Sequence, residues 1–123
     1  MEVGTTFLPD AGGSHLWVIV SDPRQDPDHI LIVSLTTWTD CKDSTCIVER
    51  GEHPWATHRT CVFYRKAMIV TLAEIHDGKD TGRLKVQDPM PPDLLQRIWT
   101  GAAQSDFLSG AAKRLLQQQG FIK

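Results

Sequence analysis

The sequence predicts a mainly β chain closed by C-terminal helices, folded as a small β-barrel or strongly curved sheet under a helical lid. Three observations predict it. Short β-branched apolar runs recur between Gly, Pro and Asp turn signals as far as residue 87. Three prolines then cluster in "DPMPPD", residues 88–93, and beyond them the apolar residues fall at helical spacing.

The first extended piece, "TTFL", is short and precedes the double glycine Gly12-Gly13. Residues 16–20, "LWVIV", read as a buried strand, stopped by Asp22-Pro23. The loop at 22–28 holds two prolines and three aspartates, and residues 30–35, "ILIVSL", repeat the strand signature and pair with the first. Shorter strands are expected at 45–49 and 60–64. The run "MIVTL", 68–72, fits helix or strand by periodicity alone. Residues 84–87 form the last strand. Pro92 then suits the first turn of a helix carrying Leu94, Leu95, Ile98 and Ala102 on one face. A second set, Leu108, Ala111, Ala112, Leu115 and Leu116, follows Ser105 as its expected cap and ends at Gly120.

With 123 residues, 41% of them hydrophobic, the chain supports one core, hence a single domain over 1–123, with the barrel at about 4–88 and the helical part at about 92–120. The formal charge of −2 excludes a general polyanion binder, so a nucleic-acid contact must come from a local patch. The charge is segregated: Asp22, Asp26, Asp28, Asp40 and Asp43 crowd one stretch, whereas Arg50, Arg59, Arg65 and Lys66 outnumber Glu49 and Glu52 in the next. No apolar run approaches the roughly 20 residues that span a bilayer, and the N-terminus has neither basic leader nor apolar signal core. A soluble, cytoplasmic chain with no membrane contact is expected. The odd count of three cysteines argues against a disulfide framework and for reduced thiols.

Three chemistries compete for the stretch "ERGEHPWATHRTC", residues 49–61. Cys41, Cys46, His53, His58 and Cys61 suffice in type and number for a tetrahedral zinc site, but the spacing lacks a C-x2-C knuckle. Cys46 and Cys61 also sit in apolar runs, where cysteine is a small buried hydrophobe. A Cys61 nucleophile would have only His58 as a local base, and residues three apart in a strand face opposite ways. General acid/base cleavage of RNA by its own 2′-hydroxyl fits the residue types better: His15, His53, His58, Arg59, Thr36 and Thr37 are the available parts. Solvated loop histidines are the plain alternative.

The order of segments resembles the PemK/MazF-like (CcdB/Kid-like) toxins of bacterial toxin–antitoxin systems. The segments are "GGSHLWVIVSDP", "ILIVSLTTW", "CIVERGEHPWATHRTCVFYRKA", "MIVTL" and "LLQRI", spread over about residues 4–100. The resemblance implies an SH3-like barrel, a homodimer, binding and metal-independent cleavage of single-stranded RNA, restraint by an antitoxin protein, and no cofactor. It implies a site built from His15, Thr36, Thr37, His58 and Arg59, with His53, Trp55 and Arg65 contacting RNA. One position departs from the pattern. Where the family opens its strand with Arg-Pro, this chain reads Ser14-His15-Leu16, so His15 replaces the catalytic arginine as acid or base, or the chemistry differs or is absent. A non-catalytic member of the same fold, acting through a protein partner, therefore stands beside the nuclease. A small zinc-stabilised domain is the third alternative.

Overall fold

The computed structural model describes residues 1–9, 15–38 and 44–123. Six strands, β1 (Thr6–Pro9), β2 (Leu16–Ile19), β3 (Ile30–Thr37), β4 (Ile47–Val48), β5 (Thr60–Val70) and β6 (Leu84–Gln87), form one sheet in the order β4-β5-β3-β2-β1-β6. All pairings are antiparallel, and the sheet curls into a half-barrel. Three helices complete the chain: α1 (Leu72–Asp80), α2 (Pro92–Gln104) and α3 (Gly110–Gln118).

Burial on both sides of the sheet explains why β3 reads as a continuous apolar run. Leu31, Val33 and Leu35 point into the main core with Leu16, Val18 and Val62, beneath Leu94, Ile98 and Ala102 of α2 and Leu115 and Leu116 of α3. Ile30 and Ile32 point the other way, with Phe7, Ile19 and Ile75 of α1. α1 covers only part of that second face, and Met68 is left 49% exposed on it.

The ambiguous run at 68–72 resolves as strand up to Val70, continuous with 60–64 in one long β5. The join is irregular. Ile32 pairs with Met68 and Ser34 with Phe63, so Val33 alone stands opposite Tyr64 to Ala67. Tyr64 keeps the inward parity of Val62, and its hydroxyl donates to the Ile98 carbonyl at 2.7 Å, while the irregularity that follows leaves both Arg65 and Lys66 facing solvent. Gly101 admits that tyrosine: a Cβ there would overlap the Tyr64 hydroxyl and stand 3.0 Å from the Cys46 Cβ.

Two expectations are corrected. A short helix, α1, follows β5 directly, nucleated by a capping box in which the Thr71 hydroxyl accepts from the Glu74 N–H and the Glu74 carboxylate accepts from the Thr71 N–H. With Leu72, Ala73 and Ile75 as its apolar residues, all in the first turn, it carries little periodic signal. Ser105 closes α2, and the cap of α3 is Ser109, whose hydroxyl accepts from the Ala112 N–H. The cysteines form a third correction: Cys61 is disulfide-bonded, while Cys46 is a buried thiol. An odd count excludes a fully paired set but not a single bridge. Among the described residues no helix is long and apolar enough to cross a membrane.

Candidate functional site

Strand parity distributes the predicted site residues over two places. On the second face of the sheet, beyond the cover of α1, His15 and Trp17 of the β2 edge lie beside Ser34 of β3, and Phe63, Arg65, Lys66 and Met68 of β5. Together they line a cleft of about 440 Å³. His15 Nδ1 donates to the Leu35 carbonyl at 3.3 Å, which leaves Nε2 as the acceptor nitrogen of the neutral ring, turned to solvent on an exposed side chain. Arg65 sits 4.5 Å above the ring of Phe107, in the α2–α3 connection, a cation–π contact. Among the described residues neither Arg65 nor Lys66 is in an ion pair with a carboxylate. The cleft thus joins one basic nitrogen, two uncompensated cations and two half-buried aromatic rings, a combination that suits a phosphate beside a base.

His58 lies elsewhere. Its Nε2 is 3.1 Å from the Thr37 hydroxyl and its Nδ1 3.3 Å from that of Thr57, at the loop entering β5. Thr37 and Thr36 are consecutive in β3 and point to opposite faces. The Arg59 Nε donates to Glu49 Oε2 at 3.2 Å, so its charge is already answered. Thr36 is 1% exposed, and among the described residues its hydroxyl has no hydrogen-bond partner. The fold therefore brings His15 and Arg65 together and sets His58, Arg59 and Thr37 apart from them.

His53 and Trp55 serve the fold. His53 is 1% exposed; its Nε2 donates to the Asp88 carbonyl at 2.8 Å and its Nδ1 accepts the Trp55 N–H at 3.1 Å. Both ring nitrogens are used, and none is left for RNA. Trp55 packs half-buried against the main core. Glu52 completes the clasp: Arg97 of α2 donates to both its oxygens, at 2.7 and 3.2 Å, and to the Ile47 carbonyl at 2.5 Å. The Arg97 hydrogen bond holds the Glu52 carboxyl below its usual range, and Glu52 in turn raises Arg97. The loop that looked richest in chemistry is largely a fastener between the sheet and α2.

The expected zinc ligands do not converge. Cys61 is in a disulfide, His53 has both nitrogens engaged, and Cys41 lies outside the described residues. Among the described residues no three His, Cys, Asp or Glu side chains form a group able to hold a metal ion.

Trp17, Phe63 and Lys66 were absent from the expected site. The signal lay in "FYRKA": two adjacent cations inside a strand break its alternation and mark a bulge that presents both. No family model, curated protein or solved structure matches the chain.

Proposed function

We propose that this chain binds and cuts single-stranded RNA, as a toxin-like endoribonuclease on a PemK/MazF-like, SH3-like barrel. In this reading it works as a homodimer in the cytoplasm, restrained by an antitoxin protein, and needs no cofactor. The observation that supports it is the juxtaposition of His15, Arg65 and Lys66 around Trp17 and Phe63 on an open sheet face. Phosphates lie against the two cations, and bases stack on the rings, as sequence-tolerant single-strand binding requires.

In the cleavage step His15 Nε2 takes the 2′-hydroxyl proton and the 2′-oxygen forms a bond to the adjacent phosphorus. The bond from phosphorus to the 5′-oxygen breaks, and the departing oxygen takes a proton from Lys66 or water. Arg65 holds the non-bridging oxygens as their charge grows. The products are a 2′,3′-cyclic phosphate and a 5′-hydroxyl.

Purified chain incubated with single-stranded RNA in EDTA is expected to give such ends, and His15→Gln to slow cleavage by about 100-fold or more. Fragments made equally fast by His15→Gln would refute the assignment. A second reading, a non-catalytic module of the same fold that acts by binding, is favoured by one observation: among the described residues His15 is the lone imidazole of the cleft, and His58 is engaged with Thr37 and Thr57. RNA bound but left intact would select it.

A further inference from the structure

The cleft does not end at Trp17. Trp17 and Met68 also line a second groove of about 670 Å³, which runs between the sheet and α1. Its floor is Phe7, Ile32, Ile75 and Leu84, side chains with neither donor nor acceptor. The two ends of the groove differ. The far end is closed by α1, whose buried Gly78 lies so near the sheet that a Cβ there would stand 2.6 Å from Leu84 Cδ1. On that rim Asp77 and Arg83 pair with each other, which leaves Glu74, the residue of the α1 capping box, as the net charge of the lining among the described residues. The near end opens at Met68, 49% exposed, onto the cleft of His15, Arg65 and Lys66. Among the described residues no Asp or Glu lines that cleft.

We infer that this groove binds a long-chain fatty acid, with its hydrocarbon tail on the floor beside α1 and its carboxylate at Arg65 and Lys66. A hydrocarbon tail needs no hydrogen-bond partner. A peptide laid on the same floor would bring backbone donors and acceptors that the floor side chains cannot satisfy. Charge fixes the direction of the chain. Glu74 repels a carboxylate from the closed end, and two cations with no carboxylate in their cleft receive it at the open one. Length agrees with that direction. From β5 to β6 the path crosses β3, β2 and β1, and these four strand-to-strand steps of about 4.8 Å make about 19 Å. With carbon–carbon bonds of about 1.5 Å, a zigzag chain of about sixteen carbons has that reach. Met68, unbranched and exposed, adapts to a chain passing beside it. The inference does not rest on the RNA reading, but both ligands would place an anion on Arg65 and Lys66, so a bound fatty acid would keep RNA out.

The test loads the full chain with cis-parinaric acid, a fluorescent fatty acid, and displaces it with saturated fatty acids of graded length, each below its micellar concentration. Affinity is expected to rise about two- to fourfold with each added methylene up to about sixteen carbons, where the tail meets Leu84, and to level off beyond. Hexadecyltrimethylammonium, with the same tail and the opposite charge, should compete about tenfold less well than hexadecanoate. Arg65→Gln combined with Lys66→Gln, both exposed, should weaken hexadecanoate by about tenfold or more. Met68→Asp, which sets a charge at the mouth of the groove, should do the same. Both variants should keep the far-UV circular dichroism of the unmodified chain. No uptake of the probe, competition indifferent to tail length, equal competition by the ammonium, or unchanged hexadecanoate binding by the double variant would overturn the fatty-acid site. So would binding to phosphatidylglycerol vesicles, or self-association in sedimentation, without uptake of the probe, because the face would then belong to a membrane or to a second copy. Each of these results leaves the RNA reading standing. RNA left unbound and uncut by a chain that takes up fatty acids as described would refute that reading and leave the site.

Discussion

Replacing Thr36 by Val is expected to stabilise the fold. Thr36 lies next to the C-terminal end of β3, 1% exposed, opposite Cys61, and its hydroxyl makes no hydrogen bond among the described residues. A hydroxyl taken out of water without a partner costs about 1–3 kcal/mol. Valine occupies the same branched shape, keeps the strand preference of the position and removes that cost. Taking the lower part of the range, the gain is about 1–2 kcal/mol. Unfolding entropy is about 2.1 cal/mol/K per residue, hence about 260 cal/mol/K for 123 residues, so Tm should rise by about 4–8 °C.

Urea unfolding followed by tryptophan fluorescence measures this directly: the midpoint should move up with an unchanged slope. Thr36→Ser is the control. It keeps the unpartnered hydroxyl and loses the methyl group, so it should fall below the unmodified chain. A midpoint for Thr36→Val equal to or below the original would refute the reasoning, because it would mean that the hydroxyl finds a partner in solution. Under the proposed reading, RNA cleavage should be the same in Thr36→Val, since the side chain is 1% exposed.

Two further outcomes follow from the clasp and the core. Ionised Glu52 has its pKa lowered from 4.5, first by the Arg97 hydrogen bond. Its contribution is therefore fully present above pH 4.5 and is lost as pH falls through the lower folded value. Glu52→Gln should lower stability at pH 7 by less than about 1 kcal/mol, because the pair is partly exposed, and the difference in urea midpoint should vanish on acidification below the folded value. Gly101→Ala pushes a methyl group into Tyr64 and Cys46 and breaks the hydrogen bond to the Ile98 carbonyl, so it should cost about 1–3 kcal/mol or more, read as a lower Tm.

The strands and the two C-terminal helices were legible because each carries either a run of β-branched residues or an apolar stripe at helical spacing. α1 was not, because a nine-residue helix with two apolar anchors is specified by its cap, and Thr71-x-x-Glu74 is a short signal. The site was legible by residue type and not by position. Histidine and arginine in "ERGEHPWATHRTC" look alike whether they serve a ligand or a loop. His53 and Glu52 became structural because Asp88 and Arg97, 35 and 45 residues away, come to meet them. No local pattern encodes that distance.

Parity explains the rest of the difference and constrains the chemistry. Thr36 and Thr37 look interchangeable in the sequence, yet a strand sends consecutive side chains to opposite faces. His58 follows Thr37 to one side, at 3.1 Å, while His15 enters β2 on the other and shares its cleft with Arg65 and Lys66. A two-histidine mechanism, with one ring as base and the other as acid, therefore does not fit this sheet. Under the proposed reading, cleavage on the open face runs with one histidine and two cations. The Nδ1 bond to the Leu35 carbonyl keeps the His15 proton on the inner nitrogen and presents Nε2 as the base. In that reading the acid is Lys66 or solvent. Arg65, delivered by the β5 bulge, gives the proposed reading a cation in that cleft where the sequence has His15.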